Sequence, residues 1–381
     1  MSRRNYADSH RVLRVSTKRF SASPFLDCYV TDEAVFGIYS GRLYPLSLGA
    51  DPVADYWVLR RQAALFDVPE RPIEIVGPDA ERLLDLVLTR DVSQIGVGMA
   101  CYGIACNDRG GILMDGVLIR HEQDRFWYVV ANGEFDAWLD ANAIGLDVQI
   151  RCPGSYVVQV QGPTSLDVLA AACDGGAPDP FRYYGVATVQ MGGQEVLITR
   201  TGWSGELGFE VYTSPEVDGG PLWEHLVTAG EPHGLSVQSL ESLGIRRIEA
   251  GILDNGTDMD STMTPFQAGL GRFVDLEKPA FRGREALAAV TDRCQLLLGV
   301  SSPTAVPVAG DAVLIDGEVV GTITTGAWSP FLEYGIGYVR LRKAGLDIGT
   351  EVTLGEDGAT AEIAQLPFYD AERRLARGLP A

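Results

Sequence analysis

Histidine is scarce in this chain, with four in 381 residues. None of His10, His121, His225 and His233 stands in a serine or cysteine motif, which argues against covalent catalysis by a base-activated nucleophile. Cysteine is thin as well. Cys28, Cys101, Cys106, Cys152, Cys173 and Cys294 form no Cys-x-x-Cys pair, so neither a zinc site nor a disulfide framework is expected, and the thiols read as small apolar fillers in a reducing compartment. No apolar run reaches membrane-spanning length, and the basic start Met-Ser-Arg-Arg-Asn-Tyr lacks a following apolar segment. A cytoplasmic protein without a secretory signal is therefore expected. Phosphate-cradling G-x-x-x-x-G-K-[ST] and strand-following G-x-G-x-x-G motifs are missing too. Positive charge is in deficit: 31 Lys and Arg stand against 51 Asp and Glu, a net charge of −20, so nucleic acid is not an expected partner.

What is present describes a folded protein of several domains. Apolar residues make up 46% and charged residues 22%, and the length exceeds one ordinary core, which predicts two or three domains. Short apolar islands among turn formers in residues 1–50 predict strands and loops. Residues 51–66 carry Tyr56, Leu59, Ala63 and Phe66 at helical spacing and predict a helix, stopped by Pro69 and Pro72. Two strand, Gly-Pro, helix units follow about eighty residues apart, one through Gly77-Pro78 and one through Gly162-Pro163. They predict two α+β halves of related architecture. Residues 220–229 and 240–252 read as helices. From residue 295 onward, short strands and Gly turns such as Asp316-Gly317 predict a small all-β barrel or sandwich.

Two acids interrupt apolar strands. Between Cys101 and Arg120 an apolar run enters Asn107-Asp108-Arg109-Gly110-Gly111 and a second run leaves it, a hairpin pattern in which Asp115 is the only ionisable residue from 112 to 119. Burying that carboxylate costs free energy unless something pairs with it. In Thr201-Gly202-Trp203-Ser204-Gly205-Glu206-Leu207-Gly208-Phe209-Glu210-Val211-Tyr212, strict alternation puts Glu210 and Tyr212 on one face and Phe209 and Val211 on the other. Asp258-Met259-Asp260 lacks the further oxygen ligands of a calcium loop, so no metal is expected.

The order of several motifs resembles the glycine-cleavage T-protein (aminomethyltransferase) superfamily. They are Leu65-Phe66-Asp67-Val68, Val76-Gly77-Pro78, Tyr102 with residues 107–115, Gln161-Gly162-Pro163, residues 201–206 with Gly208-Phe209-Glu210, Arg247-Ile248-Glu249, and Asp258-Met259-Asp260 with Thr264-Pro265-Phe266. Gly321-Thr322-Ile323-Thr324-Thr325-Gly326 and Ser329-Pro330 match its barrel domain. The resemblance implies an α+β, three-domain cloverleaf: residues 1–66 with 151–280 as one α+β domain, 67–150 as a second carrying the Asp115 hairpin, and 281–381 as a β-barrel.

It also implies an enzyme that moves a one-carbon unit to tetrahydrofolate. On that basis Asp115 is the catalytic carboxylate, and Glu210, Tyr102, Tyr183 and Asn132 line the folate. Trp203, Tyr212 and Phe25 are expected to contact the donor, the first two as aromatic faces for a cation. Two departures from the T-protein pattern stand out. Met114 replaces the first of a paired acid, and Leu243 falls where an arginine lies near the folate. Arg42-Leu43-Tyr44-Pro45, Gly202-Trp203-Ser204 and Glu210-Val211-Tyr212 look most like the dimethylsulfoniopropionate demethylase branch, so a sulfonium is the first-choice methyl donor. The alternatives are aminomethyl transfer from a lipoyl carrier protein, a quaternary ammonium or methoxy donor, and a non-catalytic folate-binding protein. A homodimer is left open.

Overall fold

Two sharp turns set the framework of the first 250 residues. Strand Arg71–Val76 passes through Gly77-Pro78 into helix Ala80–Val87, and strand Val157–Gln161 through Gly162-Pro163 into helix Ser165–Ala172. Both glycines take positive φ, +140° and +119°. A Cβ on Gly162 would lie 2.3 Å from the backbone oxygen of Gln62 and 2.8 Å from that of Leu59. Gly162→Ala is therefore expected to cost about 2–5 kcal/mol, combining a disfavoured backbone conformation with a backbone clash. A denaturant midpoint within error of wild type would contradict this.

The computed structural model describes residues 20–130, 133–356 and 358–380. One sheet has six strands in the order Val186–Met191, Gln194–Thr199, Gly208–Tyr212, Val157–Gln161, Ala63–Val68 and Leu235–Val237. A second has five: Met99–Cys106, Ile112–Glu122, Arg125–Val130, Arg71–Val76 and Gln149–Arg151. The last third is a closed six-stranded barrel, Leu297–Ser302, Tyr334–Leu341, Glu318–Ser329, Ala312–Ile315, Glu351–Leu354 and Ala359–Ala364, so the barrel expectation holds over the sandwich. Asp316 and Gly317, at φ +50° and +81°, make its two-residue hairpin turn, as Asp-Gly between apolar runs predicts.

Helices 165–172 and 219–230 cover one face of the six-stranded sheet, with Leu169, Leu222, Trp223 and Leu226 in its core. Helices 80–87 and 135–142 cover the five-stranded one, through Leu83, Leu84, Val87 and Leu139. A third cluster joins the sheets: Phe66, Val157 and Tyr212 from one meet Ala100, Ile119, Trp127 and Val129 from the other, with Leu243 from helix Leu240–Glu249. A fourth joins the Asp115 hairpin, through Ile104, Cys106 and Ile112, to the barrel residues Leu297, Ile336 and Tyr338. Of the six free cysteines, Cys101, Cys106 and Cys173 fill these cores, whereas Cys28 and Cys152 are exposed. Among the described residues no helix is long and apolar enough to cross a membrane.

The helix expected over 51–66 is shorter. It spans Pro52–Arg61, capped by Asp51, and the chain then forms the strand Ala63–Val68. Every residue of that strand is buried, because Ala63 and Leu65 pack under the covering helices while Ala64, Phe66 and Val68 pack toward the five-stranded sheet; a strand covered on both faces has no alternation to betray it. The helix expected over 240–252 likewise ends at Glu249.

A buried ionic network ties these parts together. Arg246 Nε and Arg60 Nη1 both donate to Glu206 Oε1, at 2.7 and 2.6 Å. Arg246 Nη1 lies 3.4 Å from Glu249 Oε2, and Glu249 Oε1 accepts from Tyr56 Oη at 2.7 Å and from the barrel's Ser329 Oγ at 2.5 Å.

Candidate active site

The hairpin register decides where Asp115 looks. Ile104 faces Asp115 across the strand pair and Tyr102 faces Val117, so Tyr102 is the diagonal neighbour of Asp115 on the same face, within reach of a long side chain. Its hydroxyl donates to Asp115 Oδ2 at 2.8 Å, and Asn255 Nδ2, from a segment 140 residues away, donates to Oδ1 at 3.0 Å. Asp115 is only 8% exposed. Burial pushes its carboxyl up to about 6, against the two hydrogen bonds, and the nearby Asp254 charge adds to the rise. Asp254 accepts from Tyr39 Oη at 3.2 Å and Thr257 Oγ1 at 2.7 Å. Tyr39 pairs edge-on with Tyr44, 6.2 Å between centroids, on the Val35–Tyr39 and Arg42–Ser47 hairpin. Acids and tyrosines thus line one side.

A second cluster grows from one row of the six-stranded sheet. Thr199 pairs with Glu210, Glu210 with Gln159, and Gln159 with Phe66, which places these side chains on one face. Glu210 Oε2 accepts from Tyr212 Oη at 2.6 Å, Thr201 Oγ1 at 2.7 Å and Thr199 Oγ1 at 3.2 Å, while Oε1 accepts from Gln159 Nε2 at 3.0 Å. The Thr199 and Thr201 hydroxyls also lie against each other, so with one proton each they make two of these three contacts at a time. Gln159 Nε2 lies at the same time 3.3 and 3.2 Å from the two oxygens of Glu70. Burial raises the Glu210 carboxyl against the hydrogen bonds from Thr201, Tyr212, Thr199 and Gln159 that oppose the rise. Glu70 is pushed up to about 8, by burial and then by the Glu210 charge.

The remaining expected residues divide. Trp203 is half-buried, its ring under the Arg247 guanidinium at 5.2 Å and packed in the cluster that holds Leu243. Tyr183 is half-buried edge-on to Tyr184, at 4.7 Å. The Tyr184 carbonyl accepts from Ala100 N at 2.8 Å, on the strand Met99–Cys106 that also carries Tyr102. Tyr212 is 1% exposed and packs on Trp127, so it offers no free aromatic face; its polar role is the bond to Glu210. Phe25 is a correction: its ring is wholly buried against Trp223 in the first core, where an apolar side chain gains most by leaving water. Asn132 lies outside the described residues. The acids of the 258–260 loop are already engaged: Asp258 pairs with Arg247 at 2.5 Å and Asp260 with Arg340 at 3.4 Å.

Glu70, Gln159, Asn255, Asp254 and Tyr39 were not marked by sequence reasoning. Gln159 carried a signal, a polar residue in the middle of a buried alternating strand. Glu70, between Pro69 and Arg71-Pro72, was hidden by the prolines that read only as helix breakers.

Comparison with known proteins decides the family. The profile for the GCVT N-terminal domain matches residues 29–278, and that for the glycine cleavage T-protein C-terminal barrel domain matches residues 293–370. The chain belongs to the glycine cleavage T-protein family. An aminomethyltransferase of Streptomyces coelicolor is 34% identical over 88% of this chain and 94% of its own. A trimethylamine-oxide aldolase of Ruegeria pomeroyi is 31% identical over 86% of this chain but 44% of its own. The crystal structure of the glycine cleavage system aminomethyltransferase T from Bartonella henselae superposes with a TM-score of 0.83 and 27% identity, covering 92% of this chain and 98% of that one. T-protein family members use tetrahydrofolate as the one-carbon acceptor. The acceptor-rich, donor-poor carboxylate and amide set of Glu70, Gln159 and Glu210 suits the N–H groups of a pterin.

Proposed function

We propose that the protein transfers a one-carbon unit from a donor nitrogen to tetrahydrofolate, with the aminomethyl group of a lipoyl carrier protein as the donor. The observation that carries this reading is Asp115: a buried carboxylate with a raised pKa, held from both sides by Tyr102 and Asn255, in a chain whose relatives are aminomethyltransferases. The folate supplies the nucleophilic nitrogens and carries the carbon away. In the transfer the carbon's bonds to sulfur and to the amine nitrogen break, two bonds to folate nitrogens form, and the two folate N–H protons leave with the thiol and ammonia. Asp115, near neutral pKa, is placed to take one of those protons and pass it on. Tyr102 and Asn255 hold its two oxygens in a fixed orientation, and in this reading Glu210, whose Oε2 is held by Thr199, Thr201 and Tyr212, accepts from ligand N–H groups through Oε1.

A second reading rests on the same wall. Leu243 removes a cation, and the Tyr39–Tyr44 pair beside Asp254 suits a methylated onium, which aromatic faces and acids attract without hydrogen bonds. The dimethylsulfoniopropionate preference has no counterpart among the relatives named above, and the amine donor takes its place as first choice. Incubation with tetrahydrofolate and aminomethylated lipoyl carrier protein is expected to release ammonia in proportion to carrier, with 5,10-methylenetetrahydrofolate as product. Formation of 5-methyltetrahydrofolate from a sulfonium or quaternary ammonium, with no carrier-dependent ammonia, would replace the first reading by the second. Folate binding without either turnover would make the protein a non-catalytic binder.

A further inference from the structure

The face of the five-stranded sheet that carries Asp115 runs on to a second site at its other end. Val117 pairs with Tyr102 on one side and with Val129 on the other. Trp127, two residues before Val129, pairs with Glu74, and Glu74 pairs in turn with Arg151. By strand alternation Asp115, Tyr102, Trp127, Glu74, Arg151 and Arg125 therefore share one face. Its middle is filled by the packed cluster that holds Trp127, Tyr212 and Leu243. Beyond that cluster lies a cleft of about 320 Å³, bounded by the sheet and by residues 214–216, which follow strand Gly208–Tyr212 of the six-stranded sheet. None of the residues that hold Asp115 or Glu210 lines it.

The charges in this cleft do not balance at its base. Glu74, 2% exposed, accepts at Oε1 from Arg125 Nε at 2.7 Å and Trp127 Nε1 at 3.2 Å, and at Oε2 from Arg151 Nε at 2.5 Å. Burial works to raise its carboxyl, but the hydrogen bonds from Arg125, Arg151 and Trp127 outweigh it and hold the group below the ordinary range. One buried carboxylate thus anchors two guanidiniums, a local positive surplus in a chain of net charge −20. Each guanidinium is held through Nε, which leaves its two terminal nitrogens for another partner. Among the described residues those of Arg151 donate to no side chain or backbone group, and those of Arg125 meet only Glu122, at 3.5 Å with both side chains open to water. Glu216, on the rim, is already engaged by the Ser214 hydroxyl and its own backbone.

We propose that Arg125 and Arg151 form an oxyanion site that takes the carboxylate or phosphate group of a small organic acid, with the apolar body of that acid against Trp127, Pro153 and Pro215. A solitary surface arginine is simply solvated. Here the shared buried anchor fixes both guanidiniums before a ligand arrives, so less side-chain freedom is lost on binding. Guanidinium edges match the paired oxygens of carboxylates and phosphates, whereas a cation would meet the surplus positive charge. The volume lies at the small end of the range for small-molecule sites, roughly 300–1,000 Å³. An acid bound there touches both sheets and braces their junction on the side away from Asp115. The site is independent of the one-carbon donor and of the folate.

Cys152 provides the reporter, because its exposed thiol lines the cleft, and the exposed Cys28, which does not, is an internal reference. The full chain is alkylated with iodoacetamide at constant ionic strength, in the presence of phenyl phosphate, benzoate or the neutral benzyl alcohol, and the rate at each cysteine is read by mass spectrometry. At about ten times the apparent Kd, occupancy alone is expected to slow Cys152 about tenfold, with Cys28 unchanged and no effect of benzyl alcohol. Protection by phenyl phosphate alone assigns a phosphate, and protection by benzoate alone a carboxylate; either supports the site. In Arg151→Gln the apparent affinity falls about tenfold or more, as expected for losing a charged hydrogen-bond donor. That side chain is 56% exposed and Glu74 keeps Arg125 and Trp127, so the variant is expected to fold; Arg125→Gln is the second test. No protection by either anion, equal protection by benzyl alcohol, or unchanged protection in both folded variants overturns the oxyanion site and leaves the proposed function standing.

Discussion

Asp115→Asn is expected to lose about 10²- to 10⁴-fold in turnover, the range carried by a positioned proton-transfer group, while remaining folded and able to bind tetrahydrofolate. Asparagine preserves the shape and still accepts from Tyr102 through its one carbonyl oxygen, while its amide nitrogen meets Asn255, whose own amide turns over to accept from it; the charge and the transferable proton are what is lost. The sign of the stability effect separates chemistry from folding. The folded pKa of Asp115, about 6, lies above its ordinary value, so the native state binds that proton more tightly than the unfolded chain does. Stability is therefore lost as pH rises from the ordinary carboxyl range through about 6, and the loss is complete above it, so Asp115→Asn at pH 7.5 should unfold no earlier than wild type. The same pKa predicts the rate profile. If the carboxylate form works, kcat/KM falls below pH 6, with about a tenth of Asp115 still ionised at pH 5. A variant retaining more than a tenth of wild-type turnover, or a flat profile from pH 5 to 8, would remove Asp115 from the proton path.

The largest stability loss is expected at Arg246. Its guanidinium is 0% exposed and sits between Glu206 and Glu249, which also gather Arg60, Tyr56 and Ser329. Arg246→Met would keep most of the volume but leave buried acid without its charge partner, at a cost of about 3–5 kcal/mol. The network joins helix 52–61, helix 240–249 and the barrel, so loss of cooperativity between the barrel and the rest should accompany the lower denaturant midpoint. Arg340→Met provides the contrast. Arg340 pairs with Asp260 at 3.4 Å with both side chains about a third exposed or more, where such pairs contribute about 0–1 kcal/mol. Equal losses at the two positions would show that burial does not govern these ion pairs.

The two clusters differ in how far residue patterns reveal them. Period-two alternation already put Glu210 and Tyr212 on one face, and the structure joins them at 2.6 Å. Asp115 was visible as the one ionisable group in an apolar strand. Its partners divide: Tyr102 follows from hairpin register, but Asn255 arrives from a loop far along the chain and no local pattern announces it. Glu70 was invisible, because a residue between two prolines carries no periodicity and its meaning depends on a glutamine ninety residues later. The strand at 63–68 was misassigned for a related reason, since its six buried residues repeat at a spacing that also fits a helix.

The amino-acid sequence by itself determined the local geometry: the two glycine turns that bend strand into helix, the Asp-Gly hairpin of the barrel, the alternation that aims Glu210, and the charge balance that disfavours nucleic acid. These depend on φ, on side-chain period and on composition, all of which are local or additive. Only the tertiary structure decided which acids share an amide donor, which aromatic rings are buried in packing, and where a carboxylate is buried. Those outcomes depend on burial and on distances between residues far apart in the chain, and both exist only once the two sheets and the barrel have closed on one another.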